Sequence, residues 1–336
     1  MHQEFRTSSG GFIDRSKEIS FIFNGKKYYG YRGDTLASAL LANGIHLIGR
    51  SFKYHRPRGI FAAGVEDANG KVQLYKDNIT EPNVNVTEVE LVEGLRIESQ
   101  NCWPSVDFDV GGINNFFSRF FPAGFYYKTF MWPKSFWYHV YEPFIRKAAG
   151  MGKAPLDPDP DRYEHQYEHC DILVVGSGPS GIASALSAAK NGARVILAED
   201  KSRFGGSLLT DNVTIGNKNG DEWVEDSIAE LESMPNVTVR KRSQVFGYYD
   251  HNMLVMFERC KDHLKNPAPY TPRQRLWYIR AKHVIISTGS IERPLIFANN
   301  DRPGIMLANS AREYLKVYGV LPGKNPIVFT NNDTAY

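Results

Sequence analysis

Cysteine is scarce and scattered. Cys102, Cys170 and Cys260 are the only three in 336 residues, and they form neither a ligand-spaced cluster nor a Cys-x-x-Cys pair. A disulfide-stapled secreted scaffold and a redox-active dithiol are thereby excluded, and reduced, unpaired thiols are expected. Long apolar runs are missing too: no stretch reaches the roughly 20 residues that a membrane span needs. Met1 to Gly11 is too polar for a secretory signal, so a cytoplasmic protein with no membrane partner is expected. Charge of one sign is also lacking. A net charge of +3 gives no motive for nucleic acid or an anionic membrane as partner. What remains is the composition of an ordinary globular protein, 42% hydrophobic and 23% charged, long enough for two or three domains.

The strongest positive signal lies between Cys170 and Asp200. Asp171-Ile172-Leu173-Val174-Val175 is apolar and β-branched enough for a buried parallel strand, and Gly176-Ser177-Gly178-Pro179-Ser180-Gly181 follows at once. In a dinucleotide-binding βαβ unit, Gly176 makes the tight turn, Gly178 lets backbone amides reach a pyrophosphate, and Gly181 lets the helix lie close on the sheet. Ile182, Ala185, Leu186 and Ala189 form one helical face, Gly192 ends the helix, and Arg194 to Ala198 is the next strand. Glu199 closes that strand where a carboxylate accepts ribose hydroxyls. The same carboxylate repels a 2′-phosphate, which favours NAD over NADP, although Lys201 and Arg203 act in the opposite sense.

An independent module precedes this unit. Ile19 to Phe23, a turn at Asn24-Gly25, and Lys26 to Gly30 read as a β-hairpin. Asp34 then caps a helix with Leu36, Leu40 and Leu41 on its apolar face, ending near Asn43-Gly44. Hairpin and helix together predict a β-grasp domain of the plant-type ferredoxin kind. The loop that carries the cluster ligands in such ferredoxins reads Ile48 to Gly64 here and contains no cysteine, so no iron–sulfur cluster is expected. His165 and His169, four apart beside Cys170, would share one face of a helix, but the preceding Asp157-Pro158-Asp159-Pro160-Asp161 reads as a linker, and no metal site is expected.

From Phe116 to Phe144 about half of the residues are aromatic, against 13% in the whole chain. Packing between the chain's own domains and a contact surface for another subunit both account for this. Beyond Asp200 come a glycine pair at Gly205-Gly206, a helix facing inward with Val224, Ile228, Leu231 and Met234, and a strand at Val237 to Val239. A meander turned at His251-Asn252 and a buried strand from Val284 to Gly289 follow. Pro326 to Thr330 reads as a last strand that should lead into another helix, so the chain is expected to be the front part of a longer polypeptide. The expected fold class is α/β in three parts. These are a cluster-less β-grasp domain over 16–95, an aromatic-rich connection over 96–168, and a Rossmann-type domain of the two-dinucleotide-fold flavoprotein kind over 169–336, C-terminally incomplete.

Several strings carry a resemblance to a known family. They are Arg50-Ser51-Phe52-Lys53-Tyr54-His55-Arg56-Pro57-Arg58-Gly59, Glu98-Ser99-Gln100-Asn101, Phe121 to Phe130, Pro158 to His165, and Phe329-Thr330-Asn331-Asn332-Asp333. At these places, in the same order, the chain resembles the α subunit of heterotetrameric sarcosine oxidase over nearly its whole length. The resemblance implies noncovalent NAD in this chain, contacted by Ser180, Glu199, Asp200, Lys201, Ser207 and Val245. Ser180 and Ser207 stand where alanine and threonine are usual in that family. It also implies β, γ and δ subunits as partners, FAD and a covalent FMN held with the β subunit, and a tetrahydrofolate region that this sequence does not contain. The implied reaction is oxidative demethylation of sarcosine to glycine, with formaldehyde or 5,10-methylenetetrahydrofolate and hydrogen peroxide, and this fragment alone is expected to be inactive. No catalytic residue is assigned. Related opine and amino-acid oxidase subunits, an FAD- or NAD-dependent reductase, a ferredoxin-like carrier and a purely structural subunit are the alternatives.

Overall fold

The structure is a computed structural model that describes residues 3–76, 79–120, 124, 130–148 and 150–333. The chain forms two compact units, one made of Met1–Asp159 with Glu292–Tyr336 and the other of Pro160–Ile291.

In the first unit, β1 (Asp14–Phe23) and β2 (Lys26–Arg32) form the expected hairpin, with Asn24 at φ 49° and Gly25 at φ 77° making the tight turn. The helix α1 (Leu36–Ala42) is buried at all seven residues. Its cap is Thr35 and not Asp34. The Thr35 side chain accepts from the Ser38 amide, while the Asp34 carboxylate takes up Arg6, the Tyr31 amide and the Ser38 hydroxyl. A buried acid is better satisfied by a guanidinium than by a helix end, which explains the one-residue shift. The strands β3 (Lys71–Lys76), β4 (Ile79–Asn85) and β5 (Arg96–Ser99) complete a sheet of order β2-β1-β5-β3-β4, with β1 and β5 parallel. Because β5 belongs to this sheet, the β-grasp unit runs past residue 95.

The second unit is built on a six-stranded sheet. Its strands are β6 (Tyr163–Val175), β7 (Val195–Ala198), β8 (Val237–Arg240), β9 (Ser243–Tyr249), β10 (Met253–Arg259) and β11 (Gln274–Ile286), in the order β8-β7-β6-β11-β10-β9. The first four in that order are parallel and the last two add antiparallel. The helices α2 (Pro179–Lys190) and α3 (Gly220–Ser233) pack Ile182, Ala185, Val224, Ile228 and Leu231 against Val174, Val195 and Leu197. On the other face Leu173 and Ile196 meet Leu254, Met256 and Ile279.

Three sequence expectations need correction. His165 and His169 lie on a strand and not on a helix, so their backbones are about 13 Å apart and cannot share a metal ion. Among the described residues no group of three or more potential ligands assembles elsewhere. Residues 292–336, expected to continue the nucleotide domain, group with the first unit. There the helix α4 (Ala308–Tyr318) buries Tyr314, whose hydroxyl donates to the Ala62 carbonyl at 2.9 Å. Finally, Pro326 to Thr330 is not a strand. Ile327 is 94% exposed, and an apolar run without a neighbouring strand has no ladder to join.

The string Phe121 to Phe130, apart from Gly124 and Phe130, lies outside the described residues. Of the rest of the aromatic segment, Phe116, Phe120, Trp132, Tyr138 and Phe144 are exposed. No helix among the described residues is long and apolar enough to cross a membrane.

Candidate nucleotide site

Strand β6 ends at Val175 and the chain turns sharply at Gly176, where φ is 94°. A side chain there would be strained by the backbone, and its Cβ would lie 2.4 Å from the Ser287 carbonyl oxygen at the end of the neighbouring strand β11. Gly181 is required by close approach instead, since its Cβ would sit 1.9 Å from the Gly176 oxygen. Gly178 differs from both: a Cβ at that position meets nothing within 4 Å. Gly178 is also the N-cap of α2 and, having no side chain, offers no cap of its own. The start of α2 thus has no side-chain cap and lies at the carboxyl ends of β6 and β7, where parallel sheets bind phosphates. The structure fits a dinucleotide pyrophosphate at this point.

Glu199 follows β7 and is 7% exposed. Its Oε2 accepts from the Ser177 amide at 3.0 Å and from the Ser177 hydroxyl at 2.5 Å, and its Oε1 accepts from the Lys201 amide at 3.0 Å. Burial pushes its pKa up to about 7, the Asp200 carboxyl beside it adds to the rise, and the Ser177 and Lys201 donors oppose it. A carboxylate has about four acceptor positions, of which these donors fill three. With the Asp200 carboxyl also hydrogen-bonded to it, Glu199 has no room for the expected two ribose hydroxyls and can receive at most one, at Oε1 in competition with Asp200.

The remaining residues expected at the site fall around the same edge. Ser180 is exposed on the first turn of α2. Ser207 is exposed in the short helical turn Gly206–Leu209, and Gly206 lies against Gly178, where its Cβ would come within 3.0 Å of the Gly178 Cα. The Asp200 carbonyl accepts from Arg259 Nη2 at 2.7 Å. Val245 lies on β9, which returns to the nucleotide edge because the Ser243 amide donates to the Glu199 carbonyl at 2.7 Å. Sequence reasoning missed Ser177, which is fully buried. It stands at a variable position of the glycine motif, where nothing in the spacing marks it.

The three cysteines are free thiols, one buried and two half-buried. Burial pushes the Cys170 thiol up to about 12 and those of Cys102 and Cys260 up to about 11.

In the first unit, the loop from Ile48 to Gly64 is held by carboxylates and arginines. The Asp67 carboxylate, 2% exposed as a residue, accepts from the amides of Phe61, Ala62, Asn69 and Gly70 at 2.7, 2.8, 2.9 and 2.6 Å. Asp301 receives Arg56 through Nε and Nη2 at 2.7 and 2.6 Å and Arg58 Nη1 at 2.5 Å. His55 Nδ1 lies 2.6 Å from Asp109 Oδ2.

Comparison with known proteins adds the following. Residues 16–102 match a family described as a 2Fe-2S iron-sulfur cluster binding domain, and residues 171–249 match FAD dependent oxidoreductases. The chain is 52% identical over 99% of its length to sarcosine oxidase subunit alpha of Rhizobium meliloti (strain 1021), covering 34% of that protein. It is 35% identical over 96% of its length to the subunit of the same name from Corynebacterium sp. (strain P-1), covering 29%. The chain thus spans about a third of the length of the curated relatives it matches. Among solved structures, L-proline dehydrogenase from P. horikoshii superposes with a TM-score of 0.61 over 96% of this chain and 50% of that one, at 21% identity, a likeness of fold alone.

Proposed function

In sequence the chain belongs with the sarcosine oxidase α subunits along almost all of its length, and on that premise we propose that it is the NAD-holding part of a sarcosine-oxidising complex. The observation that carries the reading is Glu199, held at the end of β7 by Ser177 of the glycine turn, so that a ribose acceptor and a pyrophosphate cradle share one edge. NAD bound there supplies a hydride-accepting ring. In this reading the amides that open α2 hold the pyrophosphate and Ser180 and Ser207 flank it. Glu199 takes a ribose hydroxyl, Asp200 and Lys201 border the ribose, and the Val245 backbone borders the adenine.

The assembled enzyme converts sarcosine to glycine, with formaldehyde or 5,10-methylenetetrahydrofolate and hydrogen peroxide as the other products. FAD and FMN are held with the β subunit, and tetrahydrofolate is held by a region outside this sequence. The exposed aromatic side chains between Phe116 and Phe144 support a multi-subunit assembly, because so many rings facing water are more typical of an interface than of a finished surface. The β-grasp unit is proposed to be cluster-less, the loop having no thiolate to offer iron.

Titration calorimetry with NAD and NADP tests the assignment. NAD is expected to bind tighter, and Glu199→Ala should weaken it by about tenfold or more, the loss of one charge-assisted hydrogen bond. Equal affinity for the two nucleotides would sink it. A second reading, FAD at the same edge, is favoured by the match of residues 171–249 to FAD dependent oxidoreductases. Release of flavin from the purified chain on denaturation would decide for it.

A further inference from the structure

Ser177 is the residue at the nucleotide edge that neither the glycine spacing nor the family resemblance assigns. Its side chain is fully buried between the end of β6 and the start of α2. A hydroxyl has one proton to give, and here the proton goes to Glu199 Oε2 at 2.5 Å. The lone-pair side of the same oxygen receives the Gly205 amide at 3.3 Å, and the Ser177 carbonyl receives that amide at 3.0 Å. One short side chain therefore joins three parts that have no sequence continuity. They are the glycine turn after β6, the acid after β7, and the glycine pair whose Gly206 backbone lies against Gly178.

The geometry points to Ser177 as the positioning residue that selects which oxygen of Glu199 meets the ribose. The Ser177 amide and hydroxyl together saturate Oε2, which leaves Oε1, bonded by the Lys201 amide, as the oxygen that can be turned to a ligand, with the Asp200 carboxyl also within hydrogen-bonding reach of this acid. Without the hydroxyl, Oε2 regains an open position. The carboxyl can then rotate, and its two oxygens compete for the hydroxyl instead of one presenting it with a fixed direction. Glutamate has three side-chain torsions to fix, so losing a directional donor at its tip lowers the fraction of molecules in the receptive geometry. The glycine pair is held to Ser177 also through the backbone carbonyl, so it stays in place when the hydroxyl is removed.

This inference rests on the nucleotide reading of the site and adds to it a residue that acts only through Glu199. ADP, the part of NAD and FAD that such an edge contacts, is the probe, with 2′,3′-dideoxy-ADP as its control. Affinities are measured by calorimetry on the 336-residue chain and on Ser177→Ala, which removes one atom and adds none. Ser177→Ala is expected to weaken ADP by about tenfold and dideoxy-ADP by less than about twofold, because the control has no hydroxyl for Glu199 to receive. In a Glu199→Gln background the same change should lose most of its effect on ADP. Should Ser177→Ala fail to fold by circular dichroism, Ser177→Cys makes the same comparison, since it keeps the side-chain shape and gives up the strong donor.

An equal loss for ADP and its dideoxy analogue would overturn the inference, because Ser177 would then shape the phosphate turn and not the acid. Undiminished binding of ADP by the variant would also overturn it. If the unaltered chain binds neither ADP nor NAD, the nucleotide reading itself falls, and this inference falls with it.

Discussion

Two turns in this chain present backbone amides to a carboxylate, and they do so to opposite ends. At the nucleotide edge, Glu199 takes three donors and sits against the Asp200 carboxyl, and α2 begins at Gly178 without a side-chain cap. In the β-grasp unit, Asp67 takes four amides of the loop that follows α1, and Asp301 takes two arginines of the same region. The first arrangement sets two carboxyls side by side at the end of a strand beside an uncapped helix start; the second is closed on itself. In a fold that matches iron–sulfur domains, this loop is tied together by internal carboxylates and arginines.

The comparison breaks most visibly at Asp67. Asp67→Ala leaves four inward-facing amides without an acceptor and is expected to destabilise the β-grasp unit by about 3 kcal/mol or more, whereas nucleotide affinity of the surviving folded fraction should hardly change. Denaturant unfolding alongside NAD calorimetry checks both halves. A smaller stability effect and a larger binding effect are expected at Gly181. Gly181→Ala drives a methyl into the Gly176 oxygen, and the helix must move off the sheet, so NAD affinity should fall by about a hundredfold or more, read by the same titration.

The two regions should also answer acid with opposite signs. Glu199 has a folded pKa of about 7, above its unbound reference of 4.5, so the folded chain holds more protons than the unfolded one between those values. The empty protein should therefore lose stability as pH rises from 4.5 to 7, and then level off. Bound ribose favours the carboxylate, so NAD affinity should rise by about tenfold from pH 6 to 8, a rise absent in Glu199→Gln. Asp301 is held down to about 2 by Arg56, against a reference of 3.8, with Arg58 acting in the same direction. Its contribution should be complete above pH 3.8 and vanish as pH falls through 2, a modest effect because the group is partly exposed. Thermal midpoints across pH for the unaltered chain, Glu199→Gln and Asp301→Asn separate the two.

The nucleotide edge was legible in the sequence because it is local. Strand, turn, helix and acid follow within about thirty residues, and each glycine leaves its own mark. The β-grasp hairpin was legible for the same reason, in the Asn24-Gly25 turn. What stayed hidden depends on distance or on competition. Asp34 looked like a helix cap until Arg6, far away in sequence, claimed it. The first half of β6 fell in the connecting segment over 96–168 because Tyr163 to His169 is polar, and only its pairing with β11 makes it a strand. Pro326 to Thr330 has strand composition and no strand beside it. Ser177 is a small polar residue at a position that spacing leaves free, and only the buried contacts show its place.

The first unit takes in residues from beyond the whole second unit. Tyr314, Val317 and Val320 fill its core and Phe12 donates its amide to the Val317 carbonyl, yet all of Pro160–Ile291 is translated between the two contributions. At about 5–20 residues per second, a ribosome keeps the β-grasp sheet waiting roughly ten seconds for its closing helix. The second unit is contiguous over Pro160–Ile291 in this chain, so it can become protease-resistant on the nascent chain before the unit that precedes it. Arresting translation after Thr330, with α4 (Ala308–Tyr318) still inside the ribosomal exit tunnel and Pro160–Ile291 outside it, and probing with protease would show this inverted order as protection of Pro160–Ile291 alone; equal protection of both units would refute it.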